Sequence, residues 1–162
     1  KKVRNYENRL ISHSLNTFIN QNLETEIIHF HDIAPHTSLE GGDVTIFNTK
    51  NYQKVKTIKV GKSPYAIAFD QEGTKAFVTN QHENTISVID TINKKNIKTL
   101  AIGEYPEGIN FYTKTKEVLI VNWFDSEVVV LNSLNFDIKK RIMVGEGPRG
   151  FGNFIGPNLI QN

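Results

Sequence analysis

From Gly42 onward, apolar and polar residues alternate in short bursts separated by turn formers, the two-residue period of half-buried β-strands. Asp43–Asn48 and Tyr52–Val60 read as a hairpin around Thr49–Asn51. Four strands follow at Tyr65–Phe69, Lys75–Asn80, Thr85–Thr91 and Asn96–Ile102, and four more at Glu107–Tyr112, Glu117–Asn122, Glu127–Ser133 and Asp137–Val144. Turns such as Asp70-Gln71-Glu72-Gly73 stand between them, with glycine supplying a positive φ. No interval is long enough for a crossover helix, so the strands are expected to pair antiparallel as meanders.

The strands recur as a unit. Gly61–Ile102 overlays Gly103–Val144 without a gap, at an offset of 42 residues. Gly61 falls on Gly103, Pro64 on Pro106, Ile67 on Ile109, Asn80 on Asn122 and Val88 on Val130. Gly145 and Pro148 carry the register forward, and Asn48 carries it back from Asp90. A fixed period of about 40–45 residues is the mark of propeller blades, four-stranded sheets that bury both faces on their neighbours. The expected fold is therefore all-β, a β-propeller of four-stranded antiparallel blades that is incomplete in this chain. Two full blades are expected at 61–102 and 103–144, a partial blade at 25–60, and a closing strand and tail at 145–162.

The front of the chain follows the repeat less well. Thr25–Phe30 has the β-branched and aromatic content of a strand. Ala34–Ser38 sits 42 residues before Ala76–Asn80, so a degenerate strand is expected there despite Pro35. Residues 1–24 are a divergent leader, in which Ile11, Leu15, Phe18 and Ile19 form one stripe of a possible short helix.

Composition narrows the chemistry. The chain has 162 residues, 38% hydrophobic and 22% charged, with a formal net charge of +2. The charges are interspersed, so neither a nucleic-acid partner nor an anionic membrane surface is expected. No apolar run approaches the roughly 18–20 residues that a membrane-spanning helix needs. The absence of cysteine rules out disulfides, thiolate catalysis, Cys-ligated zinc and covalent haem attachment through C-x-x-C-H.

Ala76-Phe77-Val78-Thr79-Asn80, followed by Asn84-Thr85-Ile86-Ser87-Val88-Ile89-Asp90, resembles the blade of the YVTN family of β-propeller repeats. Thr57-Ile58-Lys59-Val60-Gly61 with Pro64, and Thr99-Leu100-Ala101-Ile102-Gly103 with Pro106, resemble the rest of it. The resemblance covers about Asp43 to Phe154, and Gly147–Pro157 resembles the carboxyl end of such proteins. It implies a propeller of about seven blades, of which this chain would be the C-terminal portion. Two copies combining into a six-bladed ring is the alternative. It also implies a secreted or periplasmic protein of the bacterial surface, a non-catalytic binding or scaffold module that recognises a protein or glycan through its rim loops. The alternative is a propeller subunit of a periplasmic redox enzyme, similar to amine-dehydrogenase heavy chains or cytochrome cd-type nitrite reductases. That reading calls for copper or haem in the axial channel, whereas the first calls for no cofactor. A sugar-lactone hydrolase is conceivable by fold analogy alone.

Several residues carry candidate chemistry. His29, His31 and His36, with Asp32 between, have metal-ligand character, since His at i and i+2 on a strand shares one face. The competing reading is a half-exposed surface strand. His82, and Trp123-Phe124 in the equivalent loop, follow the Asn of each blade and decorate one rim. They read either as variable loop or as a recognition surface with Trp123 and Phe124 as anchors. Tyr65, Tyr105 and Arg149 take equivalent places around the repeat's proline, near the channel mouth, where a small ligand would be tested first. Gly145-Glu146-Gly147-Pro148-Arg149-Gly150 matches G-x-G-x-x-G, but the repeat explains Gly145 and Pro148 and no helix is expected after it. No catalytic residues are assigned, because no nucleophile elbow, catalytic triad or paired carboxylates stand out.

Overall fold

The computed structural model describes residues 26–30 (backbone only), 42–48, 51–150 and 155. Among them are eleven strands: β1 (Glu26–Phe30), β2 (Asp43–Asn48), β3 (Lys54–Lys59), β4 (Pro64–Phe69), β5 (Lys75–Asn80), β6 (Thr85–Asp90), β7 (Lys95–Ala101), β8 (Pro106–Tyr112), β9 (Glu117–Asn122), β10 (Glu127–Asn132) and β11 (Ile138–Met143). They form three antiparallel sheets in the orders β1-β2-β3, β4-β5-β6-β7 and β8-β9-β10-β11. These are consecutive blades of a β-propeller, two of them complete. No helix among the described residues is long and apolar enough to cross a membrane.

Strand alternation sends successive side chains to opposite faces, and both faces of the middle blade are apolar. Phe77, Ile86 and Val88 face forward and pack with Ile109, Val118, Ile120 and Leu131 of the third blade. Ile67, Val78 and Ile89 face backward onto Val44, Ile46 and Ile58 of the first. A polar tie runs through the same interface. Thr79 Oγ1 accepts from the Ala66 amide at 3.0 Å and reaches the Glu107 carbonyl oxygen at 3.2 Å, linking the two inner strands.

The repeat extends to backbone torsions. Ser63, Tyr105 and Gly147, at one repeat position, all have positive φ (51°, 57° and 61°). So do Tyr52, Lys94 and Phe136 (56°, 51° and 66°), and Asn84 with Ser126 (58° and 52°). Non-glycine residues seldom adopt this region, so its recurrence at fixed spacing means that the loops, too, are copies. The glycine that leaves each outer strand is held by a second repeated device. A Cβ at Gly103, where φ is 140°, would stand 2.0 Å from Asn122 Nδ2 and 2.6 Å from Asp125 Oδ2. At Gly61 it would meet Glu83 Oε2 at 2.0 Å and Asn80 Cγ at 2.7 Å. The two carboxylates accept from the amide that follows each glycine, Glu104 at 2.6 Å and Lys62 at 3.1 Å.

The first blade departs from the expected register. β1 pairs with β2 so that Glu26 faces Asn48 and Phe30 faces Val44, whereas in the second blade Lys75 faces Asp90 and Thr79 faces Ile86. Glu26 and Phe30 thus stand 49 residues, not 42, before their counterparts. β1 takes the second-strand place for which Ala34–Ser38 was expected, and those residues lie outside the described set. The leader 1–24 and most of the expected closing strand also lie outside it. Gly150 does run against β8, since a Cβ at Gly108 would meet the Gly150 carbonyl oxygen at 2.4 Å.

Two contrasts test this packing by urea unfolding. Phe77, 0% exposed between blades, should lose about 3–5 kcal/mol on change to Ala. Leu119→Ala, at the same repeat position on the half-buried forward face of the third blade, should cost less than half of that. Gly103→Ala should cost about 1–3 kcal/mol, while Gly145→Ala, with nothing within 4 Å of its Cβ, should change stability by less than about 0.5 kcal/mol.

Candidate functional site

The loops joining second to third strands and the connections between blades meet on one rim. In the second blade that loop is a single 3-10 turn, Gln81–Glu83, closed by Asn84 in the left-handed conformation. The Gln81 amide donates to the Ser63 carbonyl oxygen at 3.0 Å, and the Trp123 amide to that of Tyr105 at 3.1 Å. Each such bond fastens a loop to the connection that enters its own blade. The Tyr105 amide in turn donates to Asn84 Oδ1 at 3.1 Å, which ties the third blade's connection to the second blade's loop.

This scaffold gathers four aromatic rings. The Tyr105 centroid lies 5.5 Å from His82, 5.4 Å from Trp123 and 4.9 Å from Phe124. Trp123 and Phe124 stack at 5.2 Å with 19° between their planes. His82 is held at both ring nitrogens, by Ser63 Oγ at 2.7 Å from Nδ1 and the Tyr105 hydroxyl at 3.4 Å from Nε2. Arg149 Cζ sits 4.0 Å from the Trp123 ring centroid, in cation–π range. Phe124 remains 61% exposed. The ring is thus kept in water beside three others rather than buried in a core.

Beneath the rings lies a row of three different side chains. Tyr65 on β4, Glu107 on β8 and Arg149 after β11 share one repeat position, and Tyr105 shares the place of Ser63. The equivalence expected for Tyr65, Tyr105 and Arg149 is corrected accordingly. Glu107 is 3% exposed. Its Oε1 accepts from Gln81 Nε2 at 3.3 Å, and its Oε2 has no hydrogen-bond partner. Burial pushes the Glu107 carboxyl above its ordinary range, with Arg149 and the Gln81 bond pulling the other way. The Tyr65 phenol is raised as well, first by burial and then by the Glu107 charge, against the lowering effect of Arg149.

Glu127 shows how the fold treats a buried carboxylate that it needs for structure. At 5% exposure, it accepts from Asn122 Nδ2 at 2.8 Å and pairs with Arg141. Glu107 has the side-chain amide of Gln81 but no ion-pair partner among the described residues.

All six rim and mouth residues expected from sequence (Tyr65, His82, Tyr105, Trp123, Phe124 and Arg149) are therefore neighbours. Glu107, Gln81 and Ser63 were missed. The signal for Glu107 was its offset of 42 from Tyr65. Of the expected metal cluster, His29 falls in β1 but its side chain, with His31 and His36, lies outside the described residues. Among the described residues no group of three or more His, Asp or Glu could hold a metal ion.

No protein-family model matches the chain, and neither does any curated protein sequence. Solved structures do match. Hydrazine synthase of Kuenenia stuttgartiensis is 22% identical over 67% of this chain and 32% of that one, with a TM-score of 0.64. AztD of Citrobacter koseri is 12% identical over 78% and 44%, with a TM-score of 0.58. The WD40 repeats of RRP9 are 14% identical over 64% and 33%, with a TM-score of 0.57. The shared feature is the propeller fold. The chain spans less than half the length of each.

The raised Glu107 carboxyl yields a signed prediction. A carboxyl whose folded pKa exceeds its unfolded value favours the folded state at low pH and loses that contribution as pH rises through the folded value. Glu107→Gln should therefore raise the melting temperature at about pH 7.5 and leave it unchanged at about pH 3.5.

Proposed function

We propose that this chain acts as a β-propeller binding or scaffold module that engages a protein or glycan through the rim patch of His82, Tyr105, Trp123 and Phe124, without catalysing a reaction on it. The observation that carries this is the aromatic cluster itself. Four rings from two blades and the connection between them are positioned by repeated backbone bonds, and the outermost ring stays 61% exposed. Aromatic and arginine side chains supply a large share of binding energy at recognition surfaces, and rings fixed beforehand lose little entropy on binding. Arg149 against Trp123 adds a guanidinium to the same patch.

The resemblance of the repeat to YVTN propellers supports action in the periplasm or at the cell surface. The forward face of the third blade supports a second kind of partner. Leu119 and Val128 are half-buried there, while their counterparts Phe77 and Ile86 are fully covered in the preceding blade. A further blade, from the rest of a larger propeller or from a second copy of the chain, fits that face.

The reading is tested by immobilising the chain and measuring the affinity of whatever protein or glycan it retains. Trp123→Ala and Phe124→Ala should each weaken that affinity roughly thirtyfold, about 2 kcal/mol, with the far-UV circular dichroism unchanged. Undiminished retention by both variants would falsify the rim assignment.

A further inference from the structure

The outer strands β3, β7 and β11 contain no Asp or Glu, and each carries at least two lysines. Along the sequence these lysines are spread among acidic residues, and only the stacking of blades gathers them. Lys56, Lys98 and Lys140 stand 42 residues apart, at one position on three successive outer strands. All three are exposed. They face Ile46, Val88 and Val130 across their sheets, so no carboxylate lies opposite any of them. Other basic residues of these strands are matched. Lys59 pairs with Asp43, Lys139 with Glu117 and Arg141 with Glu127, while Lys95 faces Asp90. Lys56, Lys98 and Lys140 have no ion-pair partner among the described residues.

The outer edges form one band. Asn96 Nδ2 on β7 donates to the Lys59 carbonyl oxygen of β3 at 3.4 Å. The Lys98 ammonium lies 5.5 Å from the ring centroid of Phe136, in the turn that leads into β11. Lysine on an edge strand protects against edge-to-edge pairing, and one charge per edge is enough for that. Protection does not require charges of one sign at one repeat position, where like charges on adjoining blades repel. An anionic partner removes that repulsion.

The geometry selects the kind of anion. Successive blades fan about an axis, so the row of lysines follows a convex perimeter. A flat bilayer cannot meet all of such a row at once. Duplex nucleic acid, with a persistence length of about 50 nm, is too stiff to follow it. Single strands are held by stacking their bases on aromatic side chains, and β3, β7 and β11 contain none. A flexible polymer with charges along its length, held without ring stacking, fits the row.

We propose that the outer perimeter of these blades binds a linear anionic polysaccharide, whose sulfate or carboxylate groups meet Lys56, Lys98 and Lys140 in turn. The surface is separate from the aromatic rim, so the inference goes beyond the rim reading and does not depend on it.

The full chain is titrated by calorimetry with heparin, with polygalacturonate and with single-stranded DNA. At least one polysaccharide should bind saturably, more tightly than the DNA, and more weakly as salt is added. Lys56→Gln, Lys98→Gln and Lys140→Gln combined should weaken that binding about tenfold or more. The melting temperature of this variant should stay the same or rise, because only like-charge repulsion is lost. Lys62→Gln, Lys114→Gln and Lys116→Gln combined remove equal charge away from the outer strands and should change the affinity less than about twofold. The proposal is overturned if neither polysaccharide binds, if the DNA binds more tightly, or if the two triple variants weaken binding equally. Trp123→Ala should leave polysaccharide binding intact, and its loss in that variant would overturn the perimeter assignment in favour of the rim.

Discussion

Each four-stranded sheet in this chain is apolar on both faces, and an apolar face of that size must be covered. The rest of the structure depends on this requirement. Phe77, Ile86 and Val88 on one side of the middle blade, and Ile67, Val78 and Ile89 on the other, cannot all be buried within a single sheet. They are buried only when blades stack, as in other repeat architectures whose units are too thin to hold a core of their own. Because the faces must match, successive sheets adopt one geometry, and one geometry brings equivalent loops to the same rim.

The site follows from that stacking. Thr79 links the Ala66 and Glu107 backbones, which fixes the inner strands at close approach. Tyr65 and Glu107 are then brought to neighbouring inner strands, and Arg149 follows at the same repeat position, 84 residues after Tyr65. A fold built from copies can thus present unlike chemistry (phenol, carboxylate, guanidinium) at one repeated place without altering its backbone. Glu107 and Glu127 mark the two uses of a buried carboxylate here. One accepts from Asn122 and pairs with Arg141 inside its own blade, and the other accepts from Gln81 of the neighbouring blade.

Most of the fold was legible because hydrophobic alternation and the period of 42 are both local signals. The strands predicted at Lys75–Asn80 and Glu117–Asn122 match β5 and β9 end to end. The first blade was harder to read. Its second and third strands are joined by a longer link, so a fixed offset pointed to Ala34–Ser38, whereas β1 fills that place from Glu26–Phe30. The six rim residues were legible as occupants of equivalent loops. Glu107 was not, because a carboxylate beside a proline at a strand's start reads as solvated edge charge. Its burial is imposed by the adjoining blade, which no pattern within its own strand records.

Ser63, Tyr105 and Gly147 occupy one left-handed backbone position in three successive copies. The main chain there is held by its neighbours, as in the Tyr105 amide's bond to Asn84, so the torsion does not depend on the side chain that happens to occupy it. The position therefore works as a socket. Residues as unlike as Ser63 and Tyr105 leave the backbone there at the same angle, so the side chain at the rim can vary, among residues that tolerate a positive φ, over an unchanged framework.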